Sequence, residues 1–413
     1  MDASRRALAA GVVVVAVAAA VGLAATGSFG QSAGGPTPTA AGGSTPGTDA
    51  TPTSGGTATP RPGADLAEMS RRMSIPESPD VVEVDGLERT EVVVLATQGY
   101  YPDEHVADLV AFTADGEVIY HEADYGVYFD VDPVPGTRFT VEYLASRHFN
   151  DTTCDAVDAD RCTRDVIRRV NLTTGESQTV YAEVTPRIYS ARHHDADRID
   201  DAHLVLADIL RDRVAVVDTR SGEVVWEWRA EYDYAESSGG KWFDWTHLND
   251  VEVLPDGRIM ASLRNQDSVV FLDPDEPGRE ALNESWTLGA DDDHSVLHEQ
   301  HNADYIPAER GGPAVLVGDS ENDRVVEYSR VDGGWEQTWT WTREGLSWPR
   351  DADRLPNGNT VVVNSRDEQV LGVEPNGEVV WRVAVGMPYD VERLGTGDES
   401  AGGSAAGRRD GDD

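Results

Sequence analysis

The sequence predicts an all-β fold, a six-bladed β-propeller, preceded by an N-terminal hydrophobic segment and a disordered linker. Three features of the 413 residues point there. Apolar runs of period two recur along the chain, separated by Pro-Asp-Gly, Asp-Gly and Asn-Gly turns, which is strand-and-hairpin chemistry. These runs form a repeat of roughly 50 residues, which suits a blade of four antiparallel strands better than a β-sandwich or a β-helix. No helix of consequence is readable between Val81 and Val391.

At the N-terminus, MDASRR precedes an apolar Ala/Val/Gly run from Ala7 to about Gly27. A short basic flank and about 20 apolar residues fit a secretory signal or a single anchor. Residues 1–28 are therefore read as a signal peptide or N-terminal membrane anchor, with the anchor preferred. Arg5 and Arg6 stay cytoplasmic and the remainder lies outside. Membrane contact is expected through this segment only, so the protein is extracytoplasmic, either anchored or secreted. Residues 29–80 are rich in Gly, Ser, Thr and Pro and read as a disordered linker. Residues 81–393 hold the propeller, and 394–413 read as an acidic disordered tail. Cys154 and Cys162 lie close enough to close a small loop by a disulfide in an exported chain.

The chain carries 75 acidic against 34 basic residues, a formal charge of −41, and Lys241 is its single lysine. Acid excess with lysine depletion suits a protein working in concentrated salt, where screening weakens self-repulsion. A haloarchaeal source is the expectation. The same charge argues against nucleic acid as a partner, because phosphate binding needs a basic footprint.

Within the propeller, units beginning near His193, His247, Gln300 and Pro349 align with one another. The aligned positions His194, Asn249, His301 and Arg350 are 55, 52 and 49 residues apart. Each unit reads strand, turn, strand, polar hairpin, strand, Gly turn and a Trp-rich last strand: Trp226 and Trp228, Trp286, Trp339 and Trp341, Trp381. Two weaker units precede them, from about Val92 to Tyr120 and from about Phe129 to Glu183, giving six blades.

Innermost strands of a propeller converge on one axis, so aligned polar positions become spatial neighbours. His194, His247, Asn249, His301 and Arg350 should form a ring, joined by Arg264 from a second strand. The positions aligned with Arg264 are Ile209, Ser320 and Ser365, so arginine is not a repeat-wide choice there. Cationic and donor groups on one axis suit an anion. By contrast, Asp195, Asp250, Asn302 and Asp351 recur with the repeat and read as ties between blades, as do Asp197, Asp304 and Asp353. No metal set is assigned: HHD and HEQH lie on extended chain, where neighbouring side chains point to opposite faces. No cofactor motif is present in the sequence.

The stretches THLNDVEVLPDGRIMASLRNQDSV, EQHNADYIP with GDSENDRVVEY, and SWPRDADRLPNGNTVVVNSRDEQVLGV resemble the arylsulfotransferase family of exported six-bladed propellers, over about residues 90–390. The resemblance implies transfer of a sulfuryl group from a phenolic sulfate ester to a phenolic acceptor without a nucleotide donor. It makes His301 the nucleophile that becomes transiently sulfated. His247 and Asn249 contact the sulfuryl oxygens, Arg264 binds sulfate, and His194 serves as proton shuttle. Arg350 supplies a further cation where the family carries a lysine. The partners so implied are a small aryl sulfate and a phenol. A non-catalytic binding propeller and a hydrolase of anionic esters using the same ring are the alternatives.

Overall fold

The computed structural model describes residues 92–99, 107–113, 118–189, 192–395 and 400–406. The expected N-terminal segment (1–28) and linker (29–80) lie outside the described residues. Among the described residues no helix is long and apolar enough to cross a membrane.

The described chain forms six antiparallel four-stranded sheets. From the inside outward, the second blade runs Val127–Pro133, Thr140–Phe149, Cys162–Asn171, Ser177–Thr185. Blades three to six repeat this in chain order, starting from inner strands His193–Arg198, Leu248–Val253, His301–Ile306 and Pro349–Asp351. The first blade is assembled from both ends of the propeller: its inner strand is Pro388–Leu394, paired with Val92–Thr97, then Leu109–Thr113 and Val118–Glu122. Six blades thus stand as expected. Helical turns are limited to short 3-10 segments, several of them in the hairpin between a blade's second and third strands.

The period-two pattern has a direct packing consequence. A fully buried strand sends alternate side chains to opposite faces. Val92, Val94 and Ala96 pack towards the second blade, and Val93 and Leu95 towards the sixth. Six apolar clusters result, one at each blade-to-blade junction. The last-strand tryptophans fill these seams. Trp228 is fully buried between blades three and four, and a truncation there costs about 3–5 kcal/mol.

Two sequence expectations need correction. Trp286 is not in a last strand: the fourth blade closes with only Leu288–Gly289, and Trp286 sits in a preceding 3-10 turn, edge-on to Phe271 and Trp335. Within the expected disordered tail, residues 400–406 are placed against blades five and six. Ser400 Oγ donates to Asp304, the Arg354 amide donates to Ser400 Oγ, and Ser404 Oγ and the Ala405 amide donate to Glu327. Small residues and free backbone donors let this segment satisfy Glu327, which also accepts from the equally buried Arg354 and from the Thr338 hydroxyl. Cys154 and Cys162 are joined in a disulfide, with Cα atoms 5.4 Å apart.

Candidate active site

The inner strands aim their ring residues by a shared irregularity. In every blade the register between the first and second strands slips near the ring position: at Phe129, at His194–Asp195, at Asn249, at Asn302, at Arg350 and at Tyr389. A bulge adds a residue to one strand and re-aims its side chain. Immediately beyond it, a carboxylate takes a backbone amide of the neighbouring inner strand. Val251 N donates to Asp195 (2.6 Å), Ala303 N to Asp250 (3.1 Å), Val391 N to Asp351 (3.2 Å) and Val131 N to Asp390 (2.8 Å). Asp197 likewise accepts from Val253 N at 2.6 Å.

His301 is 1% exposed, and its Nδ1 lies 2.8 Å from the Ser320 hydroxyl. That hydroxyl donates to the Pro349 carbonyl at 2.7 Å, so it must accept from His301 Nδ1–H. The tautomer follows: Nε2 carries the lone pair. Ser365 makes the same link one blade on, its hydroxyl reaching the Pro388 carbonyl at 2.7 Å. Serine at this hairpin is thus a blade tie, and Arg264, at the equivalent place in blade four, departs from it.

His247 presents Nδ1 to both oxygens of Asp244 at 2.9 Å, which leaves its Nε2 as acceptor too. Its ring meets that of His194 edge-on, centroids 4.9 Å apart. His194 stacks on Phe129 at 4.2 Å, and its Nδ1 is 3.3 Å from the Tyr389 hydroxyl; its Nε2 is buried without a protein partner. The Tyr389 ring stands 6.2 Å from that of His301. Asn249 donates one amide hydrogen to the Gln300 carbonyl at 2.8 Å, while its side-chain oxygen has no partner.

Three guanidinium groups join these rings. Arg350 is 4% exposed, sandwiched between Trp348 (3.9 Å) and Tyr389 (4.4 Å), with Nη1 donating to Gln98 and Nε unpartnered. Arg192 is buried over Phe129, its Nε donating to the Tyr189 carbonyl and its Nη1 unpartnered. Among the described residues, neither forms an ion pair with a carboxylate. Arg264 does: it pairs with Glu299 and also donates to Asn265. The open side of the site is here, since His247, Arg264 and Glu299 side chains keep 20%, 15% and 36% exposure.

Burial and crowding among cations set the protonation. Burial holds His301 and His194 well below the usual histidine range, reinforced for His301 by Arg350, Arg264 and His247 and for His194 by His247 and Arg192. Burial also lowers His247, although Asp244 opposes it. The Arg350 guanidinium is drawn down by burial to about 10. Three neutral imidazoles and three guanidinium groups, set against the carboxylates of Glu299 and Asp244, make a site with an excess of positive charge that offers donors and lone pairs.

All six residues singled out from the sequence meet at this end of the propeller, and four more were missed: Tyr389, Phe129, Arg192 and Glu299. His193, next to His194, points the other way, as alternation requires, and its Nε2 lies 3.0 Å from Glu183. Burial opposes its charge, but Glu183, Asp208 and Asp165 outweigh this and raise it to about 9. One group among the described residues has metal-ligand proximity, the buried carboxylates of Asp304, Asp351 and Asp353, with one oxygen of each within 4.8 Å of the others. It contains no histidine.

Residues 111–309 match the arylsulfotransferase (ASST) family model, a span that includes His194, His247, Asn249, Arg264 and His301 but stops before Arg350 and Tyr389. No curated protein matches the chain significantly. Among solved structures, a Bacteroides caccae protein of unknown function superposes with a TM-score of 0.50 at 10% identity, covering 74% of this chain and 99% of its own. The periplasmic gluconolactonase PpgL of Pseudomonas aeruginosa gives 0.47 at 15% identity, covering 74% and 99%. At such identity the first likeness is one of fold alone. Over residues 111–309 the propeller that carries this site is similar to the arylsulfotransferase family.

Proposed function

We propose that the protein moves a sulfuryl group from a phenolic sulfate ester to a phenolic acceptor through a sulfated His301. The observation that carries this reading is the pairing of a neutral, buried His301, oriented by Ser320, with the guanidinium groups of Arg350 and Arg192, which pair with no carboxylate among the described residues. Cations without counter-charge favour a bound anion, and a neutral imidazole beside them is a nucleophile rather than an acid.

In the first half-reaction His301 Nε2 bonds to sulfur and the sulfur–oxygen bond to the aryl group breaks. The anionic ester, once seated among the cations, favours a proton on His194, and that proton passes to the departing phenolate. Charge spread over the three sulfuryl oxygens is met by Arg350, Arg264 and Asn249, and by His247 once the bound anion favours a proton on its Nε2. In the second half-reaction neutral His194 takes the proton of the acceptor phenol. The phenol oxygen then bonds to sulfur as the nitrogen–sulfur bond breaks, which restores both histidines. Tyr389, against His194 Nδ1, orients that shuttle. Arg264 exchanges Glu299 for the sulfuryl group when donor enters, so Glu299 occupies the anion position in the resting site.

An extracytoplasmic location fits this reading. It is supported by the composition of residues 1–28 and by the Cys154–Cys162 disulfide. The acid-rich, lysine-poor chain favours work in concentrated salt. The test is release of a chromogenic phenol from its sulfate ester, with and without an acceptor phenol, in molar salt. Transfer requires acceptor-dependent release with ping-pong kinetics. Release indifferent to the acceptor marks a hydrolase, and no release by folded protein leaves the binding-propeller reading.

A further inference from the structure

The loop that delivers Asp244 and His247 also builds a second recess. Residues 235–246 fold back over the hairpin that holds Arg264. Trp245 Nε1 donates to the Ser238 carbonyl (2.7 Å), Gly240 N to the Trp245 carbonyl (2.9 Å), and Asn265 Nδ2 to the Asp244 carbonyl (2.8 Å). The approach is close: a Cβ at Gly240 would lie 2.3 Å from Asn265 Nδ2. A loop pinned this firmly still leaves Trp242 82% exposed and Phe243 42% exposed, an arrangement that packing alone does not explain. Under Trp242 lies a cavity of about 430 Å³, with Trp245, Arg211, Arg229, Glu231 and Glu236 in its walls.

The charge of this cavity is opposite to that of the ring. Arg211 is engaged by Asp208 (2.8 Å) and Glu183 (2.6 Å), and Arg229 by Glu227 (2.8 Å). Glu231 and Glu236 are exposed and form no ion pair among the described residues. The walls therefore offer the indoles of Trp245 and of Trp242, the latter with the Arg187 guanidinium 5.7 Å from its ring, and the exposed carboxylates of Glu231 and Glu236. That set rejects a carboxylate or sulfate and receives an organic ammonium, through cation–π contact and charge. The volume suits a small aromatic molecule. Trp245 is two residues from His247, and Asp212, also in the wall, accepts from the Thr246 amide (3.0 Å) and hydroxyl (2.8 Å). The cavity and the ring thus share one short stretch of backbone.

We propose that this cavity binds the ammonium group of an aromatic amine. On the sulfuryl-transfer reading, the acceptor class it selects is a phenol bearing an alkylammonium arm, while the anionic donor is left to the ring. Titration calorimetry on the full chain, with 4-(2-aminoethyl)phenol and 4-hydroxyphenylacetate at one salt concentration, tests it. The amine should bind at least about tenfold more tightly than the acid, and Trp242→Ala or the double change Glu231→Gln/Glu236→Gln should each remove most of that preference. Single-turnover release of phenol from the donor alone should be unchanged in both variants. Equal binding of the two probes, or a preference untouched by the variants, overturns the assignment. Amine preference in a protein that transfers nothing upholds the cavity and rejects the transferase reading, whereas transfer without amine preference does the reverse.

Discussion

Two tiers of the same inner strands, one residue apart, differ in kind. The upper tier reads Phe129, His194, Asn249, His301, Arg350 and Tyr389, a different residue in nearly every blade. The lower tier reads Asp130, Asp195, Asp250, Asn302, Asp351 and Asp390, almost one residue repeated. Four of those carboxylates hold a neighbour's backbone amide, the same bond at four of the six junctions. The lower tier closes the propeller, and its uniformity follows from a repeated task. The upper tier has no such shared bond, so its residues are free to differ and collect unlike groups around one axis. Repetition across blades marks architecture, and departure from it marks chemistry.

This contrast can be broken by substitution. In the upper tier, His301→Ala should lower turnover by roughly 10⁴-fold or more while leaving the melting temperature nearly unchanged, because the nucleophile acts as part of one unit. Arg350→Ala should cost about 10²–10³ in kcat, and Arg350→Lys should recover part of it. In the lower tier the readout reverses. Asp250→Ala leaves the Ala303 amide without its acceptor, so denaturant unfolding should show a loss of about 1–3 kcal/mol, with activity intact in the fraction that stays folded. A melting temperature that falls as far for His301→Ala as for Asp250→Ala would erase the distinction.

The adjacent histidines sharpen it through pH. His193 is raised to about 9, so its stabilisation is complete below 6.5 and is lost as pH climbs through 9. Unfolding free energy should drop by about 3 kcal/mol over that window, and His193→Gln should flatten the slope. His194 and His301 are lowered by burial, so they add no penalty above 6.5, and stability should fall as pH drops below it. Inorganic sulfate should reduce that acid loss by favouring protonated rings. Smallest of all, Glu299→Gln should lower KM for the donor a few-fold by freeing Arg264 from its resting partner.

Much of this was legible in the sequence for one physical reason: a blade repeats, so hairpin turns and polar starts align. His194, Asn249, His301 and Arg350 could be set side by side because each opens a unit. Tyr389 could not, since the first blade takes its inner strand from the far end of the propeller and Val92 opens that unit without one. The pairs Tyr389-Asp390 and Phe129-Asp130 carry the same ring-residue-then-Asp signature, and extending the alignment to them would have found both. Arg192 and Glu299 lie in connectors between blades, where no repeat constrains the chain and only three dimensions reveal the neighbour. Ser320 was visible as the counterpart of Arg264, but its hydrogen bond to His301 depends on a carbonyl 29 residues away. Segment 400–406 looked solvated by composition. Composition is blind to a buried Glu327 that accepts hydrogen bonds from its backbone and from Ser404.

The most direct measurement is the mass of the protein after exposure to an aryl sulfate donor alone, with peptide mapping kept at neutral or alkaline pH. Covalent transfer predicts a gain of about 80 Da on the peptide that contains His301, absent in His301→Ala and discharged when a phenol is added. Donor consumption with no mass gain under rapid quench, or a gain located on another residue, would contradict His301 as the group that carries the sulfuryl unit.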